Sequence, residues 1–222
     1  MLVVPTRNEA ESIGAALAEV PNRFVDLVIV ADGVSTDSTV SMARSAGATV
    51  IDAGRGYGRA CWLGAIAAGP GAIVVYMDGD GSDCASLIPM LVEPIQTGRA
   101  DFVITSRILA RQEHRSMGWH QILAGRLAGA LINLLYGVSY SDMCAFRAIR
   151  RETLLVLGMR EMTYGWNLEM QIRAAKARLR VLEIAVPYRR RFGGHSKVSG
   201  NFLASMRVGL RLIATFIRVV AE

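Results

Sequence analysis

The chain has 222 residues, of which 52% are hydrophobic and 20% are charged, and its formal net charge is +6. This length and composition fit one globular domain and exclude a disordered chain, a collagen, a coiled coil and a disulfide scaffold. Residues 1–100 hold 6 Arg and Lys against 11 Asp and Glu, a net of −5, and residues 101–222 hold 19 against 8, a net of +11. A basic half of this kind favours an anionic partner, such as a phosphorylated substrate or a membrane surface.

Three widely spaced cysteines, Cys61, Cys84 and Cys144, lack the spacing of a metal site and indicate a reducing, cytosolic compartment. The first residues carry no positively charged segment ahead of an apolar one, so no signal peptide is predicted. The longest uncharged run, Ala60–Met77, contains Gly69-Pro70-Gly71, which would break a spanning helix. No transmembrane span is therefore predicted.

Short apolar runs alternate with helical patterns along the chain. The predicted strands are Leu2–Val4, Leu27–Val30, Thr49–Ile51, Ala72–Met77 and Phe102–Ile104. The predicted helices are Glu9–Glu19, Ser38–Ala46, Tyr57–Ala68, Ala85–Gln96, Gln121–Tyr136 and Asn201–Val220. This alternation predicts an α/β fold with a Rossmann-like, mostly parallel central sheet and flanking helices. Such sheets bind ligands beyond the carboxyl ends of their strands.

The apolar strand that ends at Met77 runs directly into Asp78-Gly79-Asp80-Gly81. Two carboxylates two residues apart can face one cation, and the glycines let the backbone bend around it. Oxygen ligands suit Mg²⁺ or Mn²⁺, and Mg²⁺ usually bridges to a substrate diphosphate. An ordinary Asp-Gly turn is the alternative, but the position at a strand end favours a metal site.

Two further polar segments follow predicted strands. Asp32 could accept hydrogen bonds from a nucleobase, with helix capping as the alternative explanation. The segment Gly54–Arg59 contains three glycines and two arginines and could approach a diphosphate. Its spacing matches neither a P-loop nor a dinucleotide-binding fingerprint, so the signal from this segment alone is weak.

These segments together resemble family-2 glycosyltransferases. The motifs that carry the resemblance in the first half are Pro5-Thr6-Arg7-Asn8-Glu9, Ala31–Thr39 and Asp78-Gly79-Asp80. Those in the second half are Ser106-Arg107, Arg126, Asp142–Arg147 and Arg191–Lys197, and they resemble the polyprenyl-phosphate sugar synthase branch, which includes dolichyl-phosphate mannose synthase. The resemblance covers Leu2–Asn201 and implies a GT-A fold that binds a nucleotide sugar and a divalent metal.

Carried over by position, the resemblance implies roles for individual residues. The residues implied to bind the nucleotide sugar are Pro5, Thr6, Asn8, Glu9, Asp32, Arg59, Asp78 and Gly79. Asp78 and Asp80 are implied to hold Mg²⁺ or Mn²⁺, and the candidate catalytic residues are Asp80, Asp142 and Arg147. The residues implied to bind the acceptor are Arg107, Arg126, Arg147, Glu169, Arg191, Ser196 and Lys197. Arg7 stands where the family often has an aromatic residue, so the nucleotide stays open.

The predicted function is metal-dependent, inverting transfer of a sugar from a nucleotide diphosphate to a polyprenyl phosphate at the cytoplasmic membrane face. A phosphate acceptor is already ionised at pH 7, and arginines offset its repulsion from the donor diphosphate. A sugar or lipid hydroxyl is the alternative acceptor and would need a general base, for which Asp142 and Glu169 are candidates. A basic membrane-surface binding module is the non-enzyme alternative, and a nucleic-acid partner is not expected.

The predicted glycosyltransferase domain covers residues 1–200, with a nucleotide-sugar half at 1–105 and an acceptor half at 106–200. Residues 201–222 are predicted as an amphipathic helix, on which Arg207, Arg211 and Arg218 fall within about 40° at 100° per residue. An apolar helix with an arginine stripe can lie in a membrane interface, which predicts a peripheral membrane protein. Packing on the domain or on the second subunit of a homodimer is the alternative for this helix.

Overall fold

The computed structural model describes residues 1–109, 119–193 and 202–222. Its strands are β1 (Leu2–Thr6), β2 (Val28–Asp32), β3 (Thr49–Asp52), β4 (Ile73–Tyr76), β5 (Phe102–Ser106), β6 (Arg147–Arg150) and β7 (Val181–Ala185). Its helices are α1 (Ile13–Ala18), α2 (Thr39–Ser45), α3 (Tyr57–Ile66), α4 (Ile88–Gln96), α5 (Trp119–Tyr136), α6 (Arg151–Val156), α7 (Trp166–Lys176) and α8 (Phe202–Ala221). A 3₁₀ turn at Ala85–Leu87 precedes α4.

The seven strands form one sheet in the order β3-β2-β1-β4-β6-β5-β7. β1 pairs in parallel with β2 and β4, β2 with β3, and β5 with β7. β6 lies antiparallel between β4 and β5. The predicted α/β fold with a mostly parallel sheet and flanking helices is confirmed.

Successive side chains of β1 are apolar and point to opposite faces of the sheet, which explains why helices cover both faces. Leu2 and Val4 belong to a buried cluster that includes Ile88 and Leu91 of α4. Val3 points to the opposite face and joins a second cluster around α3, α7 and α8. Because both faces are covered, the strands consist of nearly continuous apolar residues.

Four strands extend further than their apolar residues predict. β1, β2, β3 and β5 end at Thr6, Asp32, Asp52 and Ser106, because these polar residues still pair with a neighbouring strand. α1 instead begins later than predicted, at Ile13, after a turn in which the carbonyl of Glu9 accepts hydrogen bonds from the amides of residues 12 and 13. Polar side chains therefore lie on the last residues of strands, where the sheet holds them rigidly.

The antiparallel direction of β6 was not predicted from the sequence. Since β6 runs opposite to β4 and β5, its amino end lies at the same edge of the sheet as their carboxyl ends. The segment that precedes Arg147 is thereby brought beside the residues that follow Ser106. This edge collects the polar motifs of both halves of the chain.

The predicted C-terminal helix is confirmed as α8, which packs against α7. Within the part of the chain that the structure describes, no helix combines the length and the apolar character needed to cross a bilayer.

Candidate functional site

The carboxyl edge of the sheet brings together candidate residues from distant parts of the sequence. Thr6 and Asp32 lie side by side at the ends of β1 and β2. Asp78 follows β4 and Arg107 follows β5, and the two opposite charges interact across the edge. Asp142 lies directly against Arg107. Carboxylates and arginines thus face each other across the middle of the edge.

Three carboxylates crowd the turn after β4. Burial, followed by the negative charge of neighbouring aspartates, raises the pKa of Asp78 to about 7 and that of Asp83 to about 8. Asp80 is also buried, and its carboxylate accepts hydrogen bonds from the amide of Ser82 at 2.9 Å and from Arg191 at 2.8 Å. A carboxylate oxygen of Asp83 accepts a hydrogen bond from the amide of Asp78 at 3.2 Å, and this bond closes the turn. The turn is therefore a concentrated negative site that a cation would relieve.

The two glycines of this turn are required by close packing. A Cβ atom at Gly79 would lie 2.8 Å from Cγ2 of Thr6, so only glycine lets the turn sit on the end of β1. Gly81 has a φ of +78°, and a Cβ atom there would clash with the ring of Phe192. Sequence reasoning assigned these glycines to backbone flexibility, and the structure adds that they make room for neighbouring side chains.

The turn fits a divalent cation that takes part of its ligands from a substrate. Among the described residues, no group of three or more Asp, Glu, His or Cys side chains is arranged to hold a metal ion by itself. Mg²⁺ commonly binds through one or two carboxylates plus substrate phosphates. Asp78 and Asp80 could supply such carboxylates, and their crowding with Asp83 makes the binding of a cation electrostatically favourable.

A short basic segment, residues 189–192, crosses the acidic turn, and we call it the arginine strap. Arg191 donates to the carboxylate of Asp80 at 2.8 Å, and a second nitrogen of its guanidinium is buried with no hydrogen-bond partner among the described residues. Arg189 donates to the carbonyl of Gly81 at 2.8 Å and stacks over the ring of Phe192. The strap therefore brings an arginine donor to the rim of the candidate metal site.

The candidate nucleotide side lies at the ends of β1 and β2. The hydroxyl of Thr6 is buried and has no hydrogen-bond partner in the part of the chain that the structure describes, which suits contact with a ligand. The carboxylate of Asp32 accepts the amide of Ser35 at 2.9 Å. Asn8 accepts the amide of Thr36 at 2.8 Å and so ties the loop after β1 to the loop after β2.

Two other candidate nucleotide residues have backbone roles in this region. Pro5 is buried in β1 opposite Ala31. The amide of Glu9 donates to the hydroxyl of Thr39 at 2.8 Å, which fixes the start of α2 against the loop after β1. Both residues support the walls of the candidate nucleotide site.

Two amides of the glycine-rich segment are already bound within the protein. The amides of Gly58 and Arg59, in the first turn of α3, donate to the carbonyls of Thr163 and Met162. The hydroxyl of Tyr57 instead donates to the carboxylate of Asp78 at 3.3 Å. The side chain of Arg59 is exposed at the rim, so its predicted approach to the nucleotide stays a prediction.

Arg107 and Asp142 form a two-point ion pair. Nε and Nη2 of Arg107 donate to the two carboxylate oxygens of Asp142 at 2.7 and 2.8 Å. The amides of Arg107 and Met143 donate to the same carboxylate at 3.0 and 2.7 Å. Burial alone would raise the pKa of Asp142, but the hydrogen bonds and charge of Arg107 keep it below its usual value. Asp142 is therefore a weak base.

Two candidates for acceptor contact, Arg147 and Glu169, lie inside the protein, and their roles at the acceptor stay predictions. Arg147 is fully buried and donates to the carbonyls of Asn167 and Cys144, so its guanidinium binds the main chain of these two residues. Glu169 is also fully buried, and its carboxylate accepts from Arg173 at 2.9 Å and from two backbone amides. Neither side chain is exposed to solvent in the structure.

Of the remaining acceptor candidates, the structure describes Arg126 but neither Ser196 nor Lys197. Arg126 is exposed on α5, one residue after Gly125, which packs closely on the main chain of Asp142. Ser196 and Lys197 lie outside the described residues.

Three residues near the turn were missed by sequence reasoning, namely Tyr57, Asp83 and Tyr188. The centroid of the Tyr188 ring lies 5.0 Å from the guanidinium carbon of Arg107. A third carboxylate within five residues of Asp78 was a usable sequence signal for Asp83. No local pattern points to Tyr57 or Tyr188, because their partners are 21 and 81 residues away in the chain.

Comparison with known proteins identifies relatives of the whole chain. The family described as Glycosyl transferase family 2 matches residues 1–157. An uncharacterized glycosyltransferase of Mycobacterium tuberculosis is 37% identical over 206 residues, which cover 92% of each chain. A dolichyl-phosphate hexose transferase of Haloferax volcanii is 34% identical over 198 residues, which cover 86% of this chain and 83% of the relative.

The fold is also similar to that of a solved enzyme structure. Glucosyl-3-phosphoglycerate synthase from Mycobacterium tuberculosis, in complex with Mn²⁺, UDP and glucosyl-3-phosphoglycerate, matches with a TM-score of 0.74. The match covers 98% of this chain and 78% of that protein at 24% identity, which establishes likeness of fold.

Proposed function

Because the chain belongs to glycosyltransferase family 2, we propose that it transfers a sugar from a nucleotide diphosphate to a polyprenyl phosphate, with inversion. Membership of this enzyme family sets aside the alternative of a non-catalytic basic binding module. The relative from Haloferax volcanii is named for transfer to a dolichyl phosphate, which supports a lipid phosphate as the acceptor. A nucleotide-sugar donor and a divalent metal, Mg²⁺ or Mn²⁺, complete the proposed reaction.

The observation that carries the choice of acceptor is the ion pair between Arg107 and Asp142. A hydroxyl acceptor needs a general base, and a useful base has a pKa near the working pH. Asp142 has a lowered pKa and accepts four hydrogen bonds, while the other candidate base, Glu169, is buried away from the edge. A phosphate needs no base, so the geometry supports a phosphate acceptor.

The donor half of the proposal rests on the acidic turn. Asp78 and Asp80 would hold the metal, which neutralises the leaving diphosphate when it is bound. Arg107 and Arg191 approach the same turn and could orient an incoming phosphate, since arginine binds phosphate in a two-point geometry. The buried hydroxyl of Thr6 and the carboxylate of Asp32 would bind the base and ribose.

The direct test is a transfer assay with UDP-, GDP- and dTDP-sugars in the presence of Mg²⁺ or Mn²⁺. We expect one donor to give product with undecaprenyl phosphate and none with undecaprenol, because only the phosphate is ionised without a base. Thermal stabilisation by the same donor, dependent on metal, should accompany transfer. Transfer to undecaprenol at an equal rate would contradict a phosphate acceptor, and failure to bind any donor would contradict the proposed function.

We further propose that the protein acts at a membrane surface through the outer face of α8. Four apolar side chains on this face, Met206, Leu210, Ile213 and Ile217, are 49–63% exposed. Two arginines of the predicted stripe have a different role, because Arg211 binds Glu161 and Arg218 binds Glu161 and Glu169. The apolar face alone therefore supports contact with lipid, and a cytoplasmic location remains part of this proposal.

Replacing Leu210, Ile213 and Ile217 with glutamine should weaken binding to vesicles of phosphatidylglycerol and phosphatidylethanolamine. Burying each of these side chains in lipid is worth about 1.5–3 kcal/mol, so the triple variant should bind at least about a hundredfold more weakly. Vesicle sedimentation measures this change, while binding of nucleotide should stay the same. Val156→Gln is a matched control, because Val156 is 87% exposed on α6. Equal vesicle binding by the triple variant and wild type would contradict membrane docking through α8.

A further inference from the structure

We infer that Glu161 is a positioning residue for the donor site, because it links α8 to the amino end of α3 and thereby to Asp78. This inference rests on the proposed function, in which Asp78 binds the metal and the diphosphate. Glu161 itself lies outside the acidic turn, and it is 3% exposed. Its effect would therefore pass through three successive contacts.

The first contact joins α8 to Glu161. Arg211 donates from Nε to both carboxylate oxygens of Glu161 at 3.1 and 3.0 Å, and the hydroxyl of Thr215 donates to the same carboxylate at 3.1 Å. The amide of Thr163 donates to Glu161 at 2.9 Å. One buried carboxylate thus fastens the helix and the loop of residues 161–163 to each other. A Cβ atom at Gly165 would clash with Thr215, so α8 also packs tightly on Gly165, two residues after this loop.

The second contact joins that loop to α3. The carbonyls of Met162 and Thr163 accept the amides of Arg59 and Gly58 at 2.9 and 3.2 Å. These amides belong to the first turn of α3 and have no partner within the helix itself. A Cβ atom at Gly56 would lie 2.5 Å from the carbonyl oxygen of Met162, so the two backbones meet without room for a side chain. The loop therefore fixes where α3 begins.

The third contact joins α3 to the acidic turn. Tyr57 is the first residue of α3, and its hydroxyl donates to Asp78 at 3.3 Å. This hydrogen bond stabilises the ionised form of a carboxylate whose pKa is raised by burial and by neighbouring charge. A shift of the amino end of α3 would move Tyr57 and weaken the hold on Asp78. Through these contacts α8 helps to keep the donor site in its binding geometry.

The test measures binding of Mn²⁺ together with UDP, GDP or dTDP by calorimetry, using whichever diphosphate the wild type binds. Energetic coupling through such networks commonly amounts to a change between roughly twofold and thirtyfold, and we expect Glu161→Gln to weaken nucleotide binding within this range. Arg211→Gln removes a half-exposed partner of Glu161 and should act in the same direction, which keeps the test available if Glu161→Gln does not fold. Glu93→Gln is the control, because Glu93 is an exposed residue of α4 that pairs with Arg99 and has no contact with the network of Glu161 among the described residues. Its nucleotide affinity should equal that of the wild type.

A double-mutant cycle with Tyr57→Phe separates positioning from general stability. If Glu161 acts through Tyr57, then Glu161→Gln should weaken nucleotide binding much less in the Tyr57→Phe background than in the wild type. Additive losses, or unchanged nucleotide affinity in folded Glu161→Gln and Arg211→Gln, would overturn this inference while the proposed function stands. Failure of the wild type to bind any of the three diphosphates would overturn the proposed function, and this inference with it.

Discussion

We expect Asp80→Ala to lower the rate of sugar transfer by about a thousandfold, since a metal typically supplies several kcal/mol of charge stabilisation to such a reaction. Asp80 is one of three crowded carboxylates in the turn after β4 and would be a ligand of the metal. The variant should remain folded, because losing one negative charge relieves the repulsion on Asp78 and Asp83. Steady-state transfer assays and thermal melts of the same sample measure the two effects.

The thermal melt gives a second, independent measurement of the role of Asp80. Addition of Mn²⁺ and nucleotide should raise the melting temperature of the wild type and should leave that of Asp80→Ala nearly unchanged. Asp101→Asn is the matched control, because Asp101 pairs with Arg180 at the opposite edge of the sheet. The control should keep both full activity and the thermal shift. Normal transfer by Asp80→Ala would show that the acidic turn is not the metal site.

Local sequence patterns predicted the first five strands, with small errors at their ends, and placed the carboxylates near those ends. Asp32 is the last residue of β2 and Asp78 and Asp80 follow β4, and in a parallel sheet the carboxyl ends of such strands meet at one edge. This rule depends only on short-range order, so a single sequence is enough to apply it. It failed for β6, because the direction of that strand is decided by which neighbours it pairs with.

The sequence alone could not predict which charged side chains pair with each other. Arg147 and Glu169 match positions of a family motif, but a motif carries no information about depth, and both side chains are fully buried. Arg211 and Arg218 form a stripe on α8 that could have faced a membrane. Two of its members, Arg211 and Arg218, instead pair with Glu161 and Glu169, because these buried carboxylates need positive partners. Partner choice follows from the packing of helices that are far apart in the chain.

Arg107→Gln should be the most damaging change in the acceptor half. Breaking a buried ion pair from one side costs about 3–5 kcal/mol, because Asp142 would be left buried and without its counter-charge. The loss of a charged hydrogen-bond donor should also raise the KM for undecaprenyl phosphate by roughly tenfold to hundredfold. The affinity for the nucleotide should change much less. Thermal melts and acceptor titrations at saturating donor measure the two effects separately.

The double variant Arg107→Gln with Asp142→Asn distinguishes stability from acceptor binding. It removes both charges, so most of the lost stability should return, because a neutral Gln–Asn pair leaves no buried charge uncompensated. The raised KM for the lipid phosphate should persist, because the arginine is still absent. Asp142→Asn alone keeps Arg107 and should retain measurable transfer to the phosphate. Complete loss of turnover in Asp142→Asn, with both substrates still bound, would instead identify Asp142 as a general base and would favour a hydroxyl acceptor.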